Sequence, residues 1–179
     1  MIFAIIMLGT VGLANAAGFV AVWGGSAPYY QFPVPPELQA GGVRAVSAGP
    51  CHNLALKADG TVVAWGNFIG AVATNVPANL SGVKAIAAGL NFNLALKADG
   101  TVVAWGTNDW GQLNVPGGLT GVRAVAAGWY HALALKSGGT VVAWAGTTPA
   151  RRTCLPSWAT WWELQRVVGT VWHCAPMVR

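Results

Sequence analysis

Short apolar segments with strand-like alternation recur along most of this chain. In the segment LALK (residues 54–57) the two leucines face one way and the alanine and lysine the other, as in a half-buried strand. The β-branched segment TVVAWG (residues 61–66) follows it. Asp59-Gly60 lies between the two, and Asp-Gly between apolar runs favours a type I′ turn with positive φ at both residues. The pattern predicts an antiparallel hairpin.

The hairpin pattern is copied along the chain at a period of about 40 residues. NLALKADGTVVAWG occurs at 53–66 and again at 93–106, and an altered copy, LALKSGGTVVAWAG, occupies 133–146. The segment V-[RK]-A-[VI]-x-A-G precedes each copy. The positions that mark the repeat are the glycines Gly49, Gly89 and Gly128 and the strand-end tryptophans Trp23, Trp65, Trp105 and Trp144. We therefore predict a repeat region over 17–146, with units at about 18–57, 58–97 and 98–146.

Each unit predicts four short strands, the fourth of them before each Val-Pro, as in QLNVP (residues 112–116). Four strands in about 40 residues is the size of a propeller blade. Residues 17–146 contain no amphipathic pattern of helix length. The predicted fold class is all-β, a partial β-propeller of about three four-stranded blades followed by an irregular tail.

The repeat motif resembles a known family. A-G-x-x-H-x-L-A-L-[KR]-x-D-G-T-V-V-A-W-G, followed by G-x-N-x-x-G-Q and N-V-P, is similar to the regulator of chromosome condensation repeat, in particular the short bacterial form found in the β-lactamase inhibitory propeller. The resemblance covers about residues 18–146. It implies a propeller, usually of seven blades, whose members bind proteins through loops at one face. Some members are nucleotide-exchange factors and one group inhibits β-lactamases.

The two ends of the chain differ from the repeats. Residues 2–13 are apolar and are followed by Ala14-Asn15-Ala16, which predicts a signal peptide over 1–16 and a secreted, periplasmic or cell-surface protein. The segment lacks a Lys or Arg at its start, so an N-terminal apolar strand or a misplaced start codon is the alternative. Residues 147–179 share no feature with the repeat units. We interpret this tail as a repeat translated in the wrong frame rather than as a domain.

When the codons of the tail are read one base out of frame, several of them can encode only one amino acid, whichever synonymous codons the gene uses. Forced Ala, Leu and Gly fall opposite Ala134, Leu135 and Gly139 of the third unit, whereas a forced Val falls opposite Arg123 and does not match. The chain is then a truncated product. About three blades cannot close a ring, so we expect open edges that favour self-association.

Composition and charge exclude several classes of function. Hydrophobic residues make up 54% and charged residues 8%, which suits packed strands better than disorder. The net charge is +5, of which residues 17–146 carry only +2 (six cations against four acids), so no nucleic-acid partner is expected. The three cysteines show no C-x-x-C spacing, which argues against a zinc site or a disulfide framework.

The repeated polar residues point to structure rather than catalysis. His52 and His131 share one register, but Phe92 fills that position in the middle unit and cannot bind a metal. Asp59 and Asp99 lie in predicted turns, where Asp is favoured for local hydrogen bonds. We therefore expect no enzyme activity, no metal and no cofactor.

Aromatic residues occupy the variable loop positions between otherwise uniform units. Aromatic side chains on loops of a rigid scaffold are typical of protein-binding surfaces. The sequence predicts a module that binds an unidentified protein partner; alternatively, these rings cover blade ends and the repeats are a scaffold within a larger secreted protein. A glycan-binding or glycan-cleaving propeller using Asp109 or Glu37 is disfavoured by the scarcity of carboxylates. The candidate binding residues are Tyr29, Tyr30, Phe68, Phe92, Trp110, Trp129 and Tyr130.

The interpretation of the tail is testable in the gene. If one base is lost near codon 145, restoring it should extend the open reading frame through at least one further repeat unit. Sequencing of the genomic DNA around this codon checks this. A downstream sequence without the repeat motif in any frame would contradict it.

Overall fold

The computed structural model describes residues 5–9, 19–23, 33–50, 52–66 and 72–145; in the first two segments Val20 is the residue whose side chain is described. The strands are short, as the alternating pattern predicts. They are β1 (Ile5–Gly9), β2 (Phe19–Trp23), β3 (Val43–Ala48), β4 (His52–Lys57), β5 (Val62–Gly66), β6 (Val83–Ala88), β7 (Phe92–Lys97), β8 (Val102–Gly106), β9 (Val122–Ala127), β10 (Ala132–Lys136) and β11 (Val141–Trp144). A one-turn helix, α1 (Pro36–Gln39), and a 3₁₀ turn (Val72–Thr74) lie between strands.

Three antiparallel sheets repeat along the chain. Blade 1 is β3-β4-β5, blade 2 is β6-β7-β8 and blade 3 is β9-β10-β11, each with its second strand in the centre. The first strands β3, β6 and β9 lie next to one another, so the blades fan around a common axis. This is a partial β-propeller, which confirms the predicted fold class.

The predicted fourth strand is absent where the structure describes the residues before Val-Pro, at 72–76 and 112–116. Residues 112–116 form turns, in which the Asn114 N–H donates to the Gly111 carbonyl at 3.1 Å and the Val115 N–H to the Leu113 carbonyl at 2.9 Å. The Asn108 carboxamide oxygen accepts from the Leu113 N–H at 2.8 Å. A side-chain acceptor and local carbonyls thus take the donors that a sheet would need. The described blades therefore have three strands each.

The hairpin turns are also different from the prediction. The Gly60 N–H donates to the Lys57 carbonyl at 3.0 Å and the Lys57 N–H to the Thr61 carbonyl at 2.9 Å, which is a three-residue loop. Gly60 has a positive φ of 82°. Asp59 has no positive φ, since among the described non-glycine residues only Ala145 does. Only the glycine is left-handed, as in a type I turn with a bulge. Asp59 keeps an ordinary φ because its carboxylate bonds to the Thr61 N–H, at 2.9 Å.

The N-terminal strands form a separate antiparallel pair. Ile5 pairs with Trp23 and Gly9 with Phe19. The strand β1 also lies beside β3, much as β4 lies beside β6. This pair therefore occupies the side of blade 1 on which a preceding blade would pack. Part of the predicted signal peptide is thus a strand here, and cleavage after residue 16 stays a prediction.

The core lies between the blades. Leu54 and Leu56 of blade 1 are fully buried in one cluster with Ala95 and Trp105 of blade 2. The alternation explains this, because the leucines of each central strand face the next blade and its alanines face the previous one. Leucines on one sheet thus meet small side chains on the next, and the same contact is repeated at each junction.

In each blade a ring packs against a glycine where the first strand leads into the second. A methyl group added at Gly89 would overlap the Phe92 ring and lie 2.8 Å from the carbonyl oxygen of Gly128. A methyl group at Gly49 would lie 2.8 Å from the His52 ring, and Gly128 faces His131 in the same way. Glycine recurs at this position because the ring and the neighbouring backbone leave no room for a Cβ.

The variant Gly89→Ala should destabilise the protein by about 2–3 kcal/mol, since the buried ring and the neighbouring backbone must shift. Gly117→Ala is the matched control, because Gly117 is exposed and a methyl group there meets no atom within 4 Å. Its effect should stay within about 0.5 kcal/mol. Urea unfolding measures both free energies. Equal effects would contradict the steric explanation.

Candidate functional site

The antiparallel sheets give the blades two distinct ends. The β3–β4, β6–β7 and β9–β10 loops lie at the same end as the C-termini of the third strands. We call this end the loop face; its described residues are 50, 72–75, 90–91, 107–114 and 129–130. The opposite end, the hairpin face, carries the turns at 58–61, 98–101 and 137–140.

Three of the predicted aromatic residues form a cluster on the loop face. The Trp110 and Tyr130 ring centroids lie 5.5 Å apart at an interplanar angle of 54°. The Trp129 and Tyr130 centroids lie 6.3 Å apart at 80°. Trp110 is 42% exposed, and the other two rings are half-buried. Because Trp110 follows β8 and the other two precede β10, the cluster spans blades 2 and 3.

The loop that carries Trp110 is held by hydrogen bonds. The Trp110 N–H donates to the Gln112 carboxamide oxygen at 2.9 Å, and Gln112 itself is buried. The Trp144 indole N–H donates to the Gln112 carbonyl at 3.0 Å. The Asn108 side-chain amide also donates to the Asn114 side-chain oxygen at 3.2 Å. The exposed indole therefore stands on a backbone that blade 3 fixes in place.

The other predicted binding residues are not part of this cluster. Tyr29, Tyr30 and Phe68 lie outside the described residues. Phe92 is fully buried with its ring against Gly89, so its assignment to an exposed binding surface is wrong. The sequence contained the signal for this, because Phe92 shares the register of His52 rather than that of the loop residues.

The strand-end tryptophans Trp65, Trp105 and Trp144 are buried between blades. The Trp105 indole N–H donates to the carbonyl of Ala73 at 3.1 Å, which matches the bond from Trp144 to Gln112 one blade later. The side chain of Trp23 lies outside the described residues. In blades 2 and 3 the indole thus ties the blade to the segment that enters it.

A polar pair that the sequence pattern does not predict lies between blades 1 and 2. His52 Nε2 lies 2.6 Å from the Asn93 side-chain oxygen, and the Asn93 amide donates to the Ala73 carbonyl at 2.7 Å. Burial lowers the pKa of His52, which the bond to Asn93 partly opposes, so the ring is neutral near pH 7. At the next junction Phe92 and Ala132 fill the same two positions in an apolar cluster. A polar side chain thus contacts a polar one between blades 1 and 2, and at the equivalent positions between blades 2 and 3 both side chains are apolar.

The hairpin face gathers the basic residues of the repeats. Each blade carries one cation at the start of its first strand and one at the end of its second. The net charge of the repeats does not show this clustering, which arises because equal register places all six cations at one end. They are Arg44, Lys57, Lys84, Lys97, Arg123 and Lys136.

Two carboxylates on the hairpin face are held in identical sites. Asp59 accepts from the Thr61 N–H at 2.9 Å and from its hydroxyl at 2.6 Å, and it pairs with the Lys57 ammonium at 3.3 Å. Asp99 is bound in the same way by Thr101 and Lys97. The hydrogen bonds from threonine, with a smaller effect of the lysine, lower the pKa of each carboxyl to about 2.

Two kinds of feature are absent from the described part of the chain. It contains no group of three or more His, Cys, Asp or Glu side chains arranged to hold a metal ion. None of its helices has the length and apolar character needed to cross a bilayer.

Comparison with known proteins identifies the repeat. Residues 43–68, 83–112 and 122–144 match the family profile of the regulator of chromosome condensation (RCC1) repeat. No functionally curated protein matches the chain. The profile covers all three described blades, including the loop of Trp110.

Solved propeller structures resemble this one. Yeast RCC1 (Prp20), solved bound to Kap60, is 22% identical with a TM-score of 0.53, covering 79% of this chain and 43% of that chain. Human WBSCR16 is 22% identical with a TM-score of 0.56, covering 74% and 46%. The ectodomain of the Arabidopsis thaliana receptor kinase ACR4 is 23% identical with a TM-score of 0.54, covering 73% and 45%. The chain spans less than half of each, and the likeness shows the fold.

The pairing of His52 with Asn93 predicts a coupled stability effect. Asn93→Ala should cost about 2–3 kcal/mol, because it leaves a buried histidine without its hydrogen-bond partner. The double variant His52→Phe/Asn93→Ala reproduces the Phe92–Ala132 pair and should recover about 1 kcal/mol or more. Urea unfolding of both single variants and the double variant gives the coupling energy. Purely additive losses would contradict the matched-pair explanation.

Proposed function

We propose that this chain, which belongs to the regulator of chromosome condensation repeat family, is a non-enzymatic module that binds a protein partner through its loop face. The observation that supports this most is the aromatic cluster of Trp110, Trp129 and Tyr130. It combines a half-exposed indole with a backbone that is already ordered. Yeast RCC1 (Prp20), which has a similar fold, was solved bound to a protein partner, Kap60.

Aromatic residues in this setting favour tight binding. Trp and Tyr are enriched among the few interface residues that carry most of the binding energy. The hydrogen bonds of Asn108 and Gln112 fix the loop before any partner arrives, which lowers the entropy lost on association. Trp110 would thus be the central contact, with Trp129 and Tyr130 forming the walls around it.

A second candidate function is that of a supporting segment in a longer protein. The chain covers only 43–46% of yeast RCC1, WBSCR16 and the ACR4 ectodomain, and the last of these is part of a receptor kinase. In that case the blades would position another module instead of binding a partner themselves. Placement outside the cytoplasm, suggested by residues 1–16, belongs to the proposal in either case.

The proposal predicts that Trp110→Ala weakens partner binding by about 2 kcal/mol or more, which is roughly 30-fold in Kd. A partner isolated by affinity capture on the intact chain would be titrated against each variant by calorimetry. Val72→Ser is the matched control, since Val72 is 44% exposed but lies outside the cluster. An unchanged Kd for Trp110→Ala, with stability intact, would rule out this surface.

A further inference from the structure

The three hairpins of the blades share one backbone conformation. The Lys57 N–H donates to the Thr61 carbonyl at 2.9 Å, and Lys136 to Thr140 at 2.8 Å. The closing glycines Gly60, Gly100 and Gly139 have φ of 82°, 85° and 85°. The three turns can therefore be compared atom by atom.

The third hairpin lacks the carboxylate of the other two. Gly138 occupies the position of Asp59 and Asp99 in the segment SGGT (residues 137–140). The ion pairs within the described residues are those of Lys57 and Lys97, so the Lys136 ammonium has no carboxylate. The Thr140 N–H and hydroxyl likewise lack the acceptor that binds Thr61 and Thr101. Three donors that hold a carboxylate in blades 1 and 2 thus have no such partner among the described residues of blade 3.

A second cation lies beside this hairpin. The register between β9 and β10 shifts, so that Ala124 pairs with Leu135 and Val122 with Lys136, leaving Arg123 as an extra residue. Such bulges reorient a side chain at the end of a sheet. The Arg123 side chain is exposed, whereas its counterpart Arg44 donates to the Lys84 carbonyl at 3.0 Å.

We propose that Lys136 and Thr140, with Arg123 beside them, form a binding site for the carboxylate of an acidic segment in a protein partner. The ligand class follows from blades 1 and 2, where the same donors hold an Asp carboxylate at 2.6–3.4 Å. The site lies on the hairpin face, opposite the aromatic cluster. It is therefore independent of the function proposed for the loop face.

The surroundings favour an acidic peptide over nucleic acid. Asp59 and Asp99 stay on the same face and, with pKa values of about 2, remain charged at neutral pH. They would repel a continuous row of phosphates along the three blades. A single Asp or Glu side chain needs only the blade 3 hairpin and avoids both carboxylates.

The test uses the intact chain, with blocked tetraglutamate and blocked tetraglutamine peptides as probes, followed by ¹⁵N NMR. Tetraglutamate should shift the Thr140 amide in a salt-dependent way and leave Thr61 and Thr101 unchanged. Gly138→Asp should weaken binding about tenfold or more, because it restores the internal carboxylate. Gly138→Ala is the matched control: a Cβ there meets no atom within 4 Å, and binding should be retained.

Several results would overturn the site. They are binding by Gly138→Asp equal to wild type, equal shifts at Thr61 and Thr101, or equal binding of tetraglutamine. Tighter binding of a single-stranded oligonucleotide would assign the face to nucleic acid instead. If Gly138→Asp does not fold, Arg123→Gln decides, with a loss of about threefold or more expected and an unchanged affinity counting against the proposal.

Discussion

Contact between successive blades is the interaction on which the rest of this structure depends. No single three-stranded sheet can bury both of its faces, so each must be covered by a neighbour. The leucines of β4 and β7 supply one side of each junction, and alanines with a tryptophan supply the other. The glycine and the ring at the loop end let the first strands approach closely. The loops are then placed by the sheets beneath them.

The junctions are alike in geometry and different in chemistry. His52 meets Asn93 between blades 1 and 2, whereas Phe92 meets Ala132 between blades 2 and 3. A mismatch would bury an unpaired polar group, which costs more than the hydrogen bond itself contributes. The order of nearly identical units is therefore specified by a few side chains at their contacts. This selects the correct neighbour without changing the hairpins.

The repeat period, the three strands common to each unit and the hairpins followed directly from the sequence pattern. The fourth strand and the type I′ turn did not, because Asn108 and Asp59 bond the local backbone and pattern alone does not show which acceptor a donor chooses. The prediction of Phe92 as a binding residue is wrong because its position in the repeat, shared with His52, is buried. The clustering of cations on the hairpin face does not follow from the net charge, because it depends on the position of each cation within the repeat.

Internal repetition provides its own control for function. Where one repeat unit has a different residue from the other units and the backbone is the same, folding does not require that residue. Trp110, Trp129 and Tyr130 depart from their counterparts on the loop face, and Gly138 departs on the hairpin face. All four lie in blade 3 or at its junction with blade 2. The repeated hairpins keep the sheets in register. We therefore infer that recognition is concentrated at blade 3, with aromatic contacts on the loop face and a carboxylate contact on the hairpin face.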